Sequence, residues 1–254
     1  MKKPLIIANW KLNGNKYFVN IFLEKLCYKL NKNKIYNISI APSLIHLNEA
    51  ILKTKKSCIK ICAQNIDINS FGAFTGDVSA TMLKNIGVKY VLIGHSERRI
   101  YHKENNKDIL KKFIEVKKNN LIPILCIGET LKEKKKKQTK KICLNQINLI
   151  INNLGIKAFK NSIIAYEPIW AIGKKIPIKI QKIQKIHNFI RSNIKLYDKK
   201  ISKKIIIQYG GSVNHKNAEQ ILKQPDIDGI LIGNNSLNFN NFIKIIKIIK
   251  NIKK

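Results

Sequence analysis

The chain has 254 residues, with 49 Lys+Arg against 15 Asp+Glu and a formal net charge of +34. This length can bury a large core without staples, and the five cysteines (Cys27, Cys58, Cys62, Cys126, Cys143) are odd in number with no CxxC pair or partnered His spacing, which excludes a disulfide framework or a zinc site. Lysine is scattered along the whole chain together with Ile and Asn, as in Lys244-Ile245-Ile246-Lys247-Ile248-Ile249-Lys250, so we read the charge as AT-rich coding rather than a nucleic-acid stripe.

Met1-Lys2-Lys3-Pro4 runs into the apolar stretch Leu5–Trp10, too short for a signal peptide or a membrane span. That stretch predicts a strand ending in Asn9-Trp10-Lys11. Lys16–Leu30 follows with Phe18, Phe22 and Leu26 at spacings of four, a helix, and Asn31–Asn33 reads as a turn. Ile38–Ala41 and Ile59–Asn65 are the next strands, the latter ending in Gln64-Asn65. Asp77 or Ser79 is placed to cap a short helix before Gly87. Tyr90–Gly94 predicts a strand leading into His95-Ser96-Glu97-Arg98-Arg99, and Asp108–Val116 a helix. Ile122–Ile127 runs into Gly128-Glu129, and Thr130 or its neighbours begin a helix over Leu131–Leu154 that carries the charged run Lys132–Lys137 on a solvated face. Ile163–Glu167 is followed by Pro168-Ile169-Trp170-Ala171-Ile172-Gly173, then by a helix over Ile178–Leu196 with Ile183, Ile186, Phe189 and Ile190 on one side. Ile205–Tyr209 leads to Gly210-Gly211-Ser212, Ala218–Leu222 is a short helix, and Gly229–Gly233 leads to Asn234. The Asn-rich patch Asn234–Asn241 reads as turns, and Phe239–Ile252 closes the chain as a helix.

The eight apolar runs are nearly continuous in Ile and Val, as strands buried on both faces of a parallel sheet are. Eight strands alternating with helices define an α/β fold and favour a closed single-domain (β/α)8 barrel over 1–254 rather than an open sheet. With no Pro/Gly/Ser-rich linker, one domain is expected. Free thiols, no leader and no apolar span point to the cytoplasm.

In such a barrel the active site stands at the C-terminal ends of the strands. One Lys (Lys11), one His (His95) and one Glu (Glu167) meet there, with glycine turns after the seventh and eighth strands. Each has a bland reading alone: a structural His, a salt-bridged Glu, a plain turn, one lysine among many. Their convergence favours chemistry. Backbone N–H groups at glycine turns hold anions, Lys11 adds a point charge, and a His–carboxylate pair suits proton transfer beside a carbonyl.

Over essentially its whole length the sequence closely resembles the triosephosphate isomerase family. The matching segments are Ala8-Asn9-Trp10-Lys11-Leu12-Asn13-Gly14, Ala63-Gln64-Asn65, Gly72-Ala73-Phe74-Thr75-Gly76-Asp77, Ile93-Gly94-His95-Ser96-Glu97-Arg98-Arg99, Cys126-Ile127-Gly128-Glu129, Ala165-Tyr166-Glu167-Pro168-Ile169-Trp170-Ala171-Ile172-Gly173, Tyr209-Gly210-Gly211-Ser212-Val213 and Asp226-Ile227-Asp228-Gly229. The resemblance implies interconversion of dihydroxyacetone phosphate and D-glyceraldehyde 3-phosphate through an enediol(ate), with no metal and no organic cofactor. It implies that Glu167 moves the proton, neutral His95 polarises the carbonyl, Lys11 stabilises negative charge and Asn9 holds substrate. Backbone N–H groups of Gly173, Ser212, Gly233 and Asn234 would hold the phosphate, with Glu97 as a partner of Lys11 and of the groups around His95. It also implies a lid over Pro168–Ile178, stiffened at its first hinge by Pro168 and Trp170, and a homodimer in which the Phe71–Asp77 loop inserts into the partner with Thr75 at its tip. No nucleic-acid or membrane partner is implied.

Two departures stand out. Where the family carries two adjacent glycines after the eighth strand, this chain has Gly233-Asn234, and Asn is the residue that best replaces Gly at positive φ. The second half of the lid reads Lys174-Lys175-Ile176-Pro177-Ile178, where Pro177 restricts the second hinge and the lysines add charge, so altered loop kinetics are expected. Two rival functions remain: another phosphosugar-handling barrel, which the Glu167/His95/Lys11 set disfavours, and a basic nucleic-acid-binding barrel, for which the sequence lacks interleaved aromatics and any binding motif.

Overall fold

The computed structural model describes residues 3–30, 36–173, 178–249 and 252. Among the described residues, eight parallel strands close into a barrel in sequence order, the last pairing with the first. They are β1 (Leu5–Asn9), β2 (Asn37–Ala41), β3 (Ile59–Ala63), β4 (Tyr90–Ile93), β5 (Ile122–Ile127), β6 (Ile163–Tyr166), β7 (Ile206–Tyr209) and β8 (Gly229–Ile232). The helices around them are α1 (Lys16–Leu30), α2 (Leu47–Thr54), α3 (Ala80–Ile86), α4 (Ser96–Tyr101), α5 (Asn106–Lys118), α6 (Leu131–Lys135), α7 (Thr139–Leu154), α8 (Ile180–Tyr197), α9 (Lys199–Lys204), α10 (Ala218–Leu222) and α11 (Phe239–Ile248). The (β/α)8 barrel expected from the rhythm of apolar runs is therefore present. Several runs outlast their strands by a residue or two, because Trp10, Gln64, Gly94, Glu167 and Gly233 already belong to the rim.

Strand alternation sorts the core into two layers. Leu5, Ile7, Tyr90, Leu92, Ile124, Cys126, Ile163, Ala165 and Leu231 fill the barrel interior. Ile6, Ala8, Val91, Ile93, Leu125, Ile164 and Tyr166 face outward into the helices. The first and last helices lock onto the barrel through aromatic rings. Trp10 meets Phe18 and Phe22 edge-on at 5.2 and 5.0 Å, and Phe22 meets Phe239 of α11 at 5.3 Å. Removing one such buried ring costs about 3–5 kcal/mol. On the far side Arg191 of α8 binds Asp226 at 3.0 Å and Asp228 at 2.6 Å, tying that helix to the segment that enters β8.

Some boundaries differ from the sequence reading. The expected helix over Leu131–Leu154 is two helices. Thr130 starts α6 through a capping box with Glu133, α6 stops at Lys135, Lys137 takes a left-handed φ of 58°, and α7 begins at Thr139. The Lys132–Lys137 run thus spans a break rather than a helix face. Lysines three and four apart repel one another in a continuous helix, and the carboxylate nearest them, Glu133, is committed to the cap. The patch Asn234–Asn241 is not all turn: Asn234–Ser236 forms one 3-10 turn, and the Asn238 side chain accepts from the Asn241 N–H to start α11. That helix ends at Ile248, short of the expected Ile252. Ser79, not Asp77, caps α3, and Gly87 ends it at φ 98°. α2, α4 and α9 were not singled out from the sequence. No helix among the described residues is long and apolar enough to cross a membrane, and all five cysteines are free thiols.

Candidate active site

The C-terminal mouth of the barrel holds a cavity of about 340 Å³ lined by Asn9, Lys11, His95, Glu167, Gly173, Ser212, Gly233 and Asn234. The residues expected to act on substrate thus reach one space, joined there by Ile172, Gly210 and Leu231. Lys11 is the only Lys or Arg lining it among the described residues.

How each side chain arrives follows from the strands. Asn9 continues the inward set Leu5, Ile7 of β1, and Glu167 continues the inward set Ile163, Ala165 of β6. His95 does not follow this rule: parity with Val91 and Ile93 would send it outward. Gly94 sits between with a φ of 66°, a left-handed kink that breaks the alternation and returns the imidazole to the cavity. His95 then serves as N-cap of α4: its Nδ1 accepts from the Glu97 N–H at 3.3 Å. With that lone pair engaged, the proton of a neutral ring stands on Nε2. Nε2 faces Glu167 Oε1 at 3.4 Å.

Glu167 and His95 are only 3% and 5% exposed. Glu167 Oε2 has no nitrogen or oxygen donor among the described residues. A buried carboxylate oxygen without such a donor is costly, and a purely structural role would not require that cost. Space for it comes from Gly210, where a Cβ would lie 2.6 Å from Glu167 Cγ. Beneath it, burial and then the negative charge of Glu167 push the Cys126 thiol well above its usual range, so Cys126 stays neutral.

Lys11 adopts a left-handed φ of 54°, uncommon for a non-glycine residue. Its backbone is held there on both sides: its N–H donates to Asn9 Oδ1 at 3.1 Å, and its carbonyl accepts from Gln64 Nε2 at 2.9 Å and Ser43 Oγ at 3.0 Å. Its Nζ meets Glu97 Oε1 at 2.5 Å. Glu97 therefore touches both Lys11 and His95 from outside the cavity, as its resemblance role implies. Gln64 and Ser43 were not singled out from the sequence as holders of Lys11. Gln64 stood in a matching segment at a strand end, whereas Ser43 carried no signal.

The opposite wall is made of turns. Asn217 Nδ2 donates to the Ser212 carbonyl at 2.9 Å, and Asn235 Nδ2 donates to the Val213 carbonyl at 2.7 Å, linking the turns after β7 and β8. Asn234 corrects an expectation. It is exposed and opens a 3-10 turn, and it is absent from the positive-φ positions. The backbone here does not demand a glycine, so Asn fits without strain. Gly173, by contrast, has a φ of 70°.

The lid's first hinge is anchored. Ile169 N–H donates to the Glu129 carbonyl at 3.1 Å, Trp170 Nε1 donates to Glu129 Oε1 at 2.8 Å, and Lys134 Nζ sits 3.0 Å over the Trp170 ring. The divergent stretch Lys174-Lys175-Ile176-Pro177 lies outside the described residues.

Fold and mouth together define a β/α-barrel enzyme that sets a carboxylate–imidazole pair and an ammonium group against a wall of turns. Comparison with known proteins narrows the class. A family model described as triosephosphate isomerase matches residues 4–249. Proteins named triosephosphate isomerase are 52% identical in Baumannia cicadellinicola over 93% of each chain, 51% in Wigglesworthia glossinidia brevipalpis over 99% of this chain and 98% of the relative, and 52% in Buchnera aphidicola subsp. Schizaphis graminum over 96% of each. The chain belongs to the triosephosphate isomerase family.

Proposed function

We propose that this chain interconverts dihydroxyacetone phosphate and D-glyceraldehyde 3-phosphate, the isomerisation of its family, with Glu167, His95, Lys11 and Asn9 as the working side chains. The observation that carries the reading is a buried Glu167 carboxylate whose Oε1 faces His95 Nε2 at 3.4 Å in one cavity beside Lys11.

The steps follow from the groups. Glu167 takes a proton from C1 of dihydroxyacetone phosphate. The C–H electron pair becomes the C1–C2 double bond, and the C2 carbonyl oxygen gains negative charge. His95 Nε2–H and Lys11 Nζ stabilise that charge, and the imidazole carries a proton between the two enediol oxygens. Protonated Glu167 returns its proton to C2, leaving the aldehyde at C1. General acid–base groups of this kind contribute about 10²–10⁴-fold each. Backbone N–H groups of Gly173, Ser212, Gly233 and Asn234 are the proposed phosphate ligands. Closing the lid over this site would exclude water.

A coupled isomerase assay on wild type beside Glu167→Asp and His95→Gln tests the assignment. We expect kcat to fall about 10²-fold or more in each; full activity in either variant would overturn it.

The same reading extends to assembly. A second cavity of about 520 Å³ shares Asn9, Lys11 and His95 with the first and is walled by Leu12, Leu44 and Gly76. Leu12, 97% exposed, lines this cavity, and Phe71 at the start of the loop is 89% exposed. The Phe71–Asp77 loop is held compact by the Phe74 N–H to Gly72 carbonyl bond and the Asp77 N–H to Phe74 carbonyl bond. We infer a homodimer in which this loop, Thr75 at its tip, fills the partner's second cavity. Sedimentation should show a dimer for wild type, and Thr75→Arg should yield monomers of reduced activity; a monomeric wild type would refute it. The free thiols support the cytoplasm as its compartment.

A further inference from the structure

In a parallel barrel each strand residue turns its N–H and carbonyl to one neighbour, and the next residue turns them to the other. Along β5 the odd positions serve β6 and its continuation. Glu167 N–H donates to the Ile127 carbonyl at 2.7 Å, and Ile169 N–H donates to the Glu129 carbonyl at 3.1 Å. The even positions serve β4. But β4 ends at Ile93, and the His95 carbonyl is taken by the N–H groups of Arg98 and Arg99 in α4. Gly128 therefore has no strand to pair with, although it is buried. A buried peptide left unpaired costs free energy on both its groups.

A side chain supplies the missing strand. Gln146 of α7 accepts from the Gly128 N–H through Oε1 at 2.8 Å and donates from Nε2 to the Gly128 carbonyl at 3.3 Å. Its primary amide reproduces both halves of one peptide unit. One step back along β5, an Arg99 terminal nitrogen donates to the Cys126 carbonyl at 3.2 Å in the same way.

What Gly128 presses against gives the amide its importance. A Cβ at Gly128 would lie 2.0 Å from the Glu167 carbonyl oxygen and 3.3 Å from the Pro168 nitrogen. The peptide joining the proposed base to the first lid residue thus rests directly on Gly128. On either side of it, Ile127 and Glu129 take the hydrogen bonds from Glu167 and Ile169.

We propose that Gln146 is a positioning residue for the isomerisation: by clamping Gly128 as a one-residue substitute for β4, it sets the backbone from which Glu167 and the lid's first hinge project. This rests on the reading of Glu167 as the base. Gln146 touches neither the cavity nor the turns proposed to hold the phosphate. Its loss should therefore displace the base while leaving the phosphate grip intact.

The test is Gln146→Met, which keeps the length and packing of the side chain and deletes both hydrogen bonds, beside Gln146→Glu, which keeps only the acceptor for the Gly128 N–H. Steady-state assays and the primary isotope effect with substrate deuterated at C1 are measured on folded protein, with Glu167→Asp as a separate control. A base displaced by a fraction of an ångström should lower kcat about tenfold in Gln146→Met, with KM within about twofold and a larger isotope effect on kcat, because proton abstraction becomes slower relative to the other steps. Gln146→Glu should fall between. Wild-type kcat and isotope effect in folded Gln146→Met would overturn the proposal, as would a loss carried by KM alone. An unaffected Glu167→Asp would instead overturn the assignment of the base, whatever Gln146 does.

Discussion

The two walls of the cavity are built on different principles. The wall of β1, β4 and β6 presents side chains: Asn9, His95 and Glu167 are each no more than 5% exposed, and their neighbours hold them by hydrogen bonds or by close packing. The wall after β6, β7 and β8 is made of turns, with Gly173, Ser212, Gly233 and Asn234 lining the cavity. Moving a proton needs particular atoms at fixed places, so the first wall depends on residue identity and on the space around it. Holding an anion needs only N–H groups aimed inward, so if the second wall grips the phosphate as proposed, it depends on backbone shape and admits Asn234.

That contrast can be broken or sharpened by substitution. The largest expected effect is Gly210→Ala. It stands in a turn of the second wall, yet its added methyl would meet Glu167 Cγ at 2.6 Å. Displacing the base should cut kcat about 10²-fold while KM changes little, read by steady-state assay. A rise in KM with kcat preserved would place Gly210 with the phosphate instead.

Gly94→Ala should come next. A φ of 66° costs an L-residue about 1–2 kcal/mol, and the methyl would lie 2.9 Å from an Arg99 terminal nitrogen and 3.0 Å from Ile109 Cδ1. We expect a loss of about 2 kcal/mol in urea unfolding together with a lower kcat, since His95 depends on this kink. Unchanged stability would show that the chain can turn without it.

Asn234→Gly should do little. Because Asn234 is exposed and free of left-handed strain, KM should stay within about twofold; a large improvement in KM would mean that its side chain crowds the phosphate. Smallest is a labelling experiment. Burial pushes the Cys62, Cys126 and Cys143 thiols upward and shields them, whereas Cys27 and Cys58 are only half-buried. Mass spectrometry should find two alkylated cysteines in native protein and five after denaturation. Alkylation of Cys126 in native protein would mean that the floor beneath Glu167 opens.

The same contrast explains what could be read from the sequence. The eight strands were legible because strands buried on both faces must be apolar throughout, and His95, Glu167 and Lys11 because, although each alone has a structural reading, they converge at one end of the barrel. Relations between distant segments were not legible. Nothing local says that Gly128 lacks a strand partner, that Gln146 supplies one, or that Gly210 is empty space for Glu167. The break after Lys135 was hidden because no apolar residue stands between Leu131 and Ile142 to show where one helical period stops and the next starts, and the backbone at Asn234 was misjudged because φ is decided by the turn and not by the residue. The role of Gly94 was hidden as well: strand alternation carries Asn9 and Glu167 inward, whereas His95 reaches the cavity only through this kink.

The central claim is that one buried carboxylate moves one proton between adjacent carbons. Deuterium incorporation followed by NMR in D₂O tests it most directly. Wild type should place deuterium at C2 of D-glyceraldehyde 3-phosphate and at C1 of recovered dihydroxyacetone phosphate, never at C3, and Glu167→Gln should reduce that incorporation about 10³-fold. Incorporation at the wild-type rate in Glu167→Gln, or label at C3, would contradict the account.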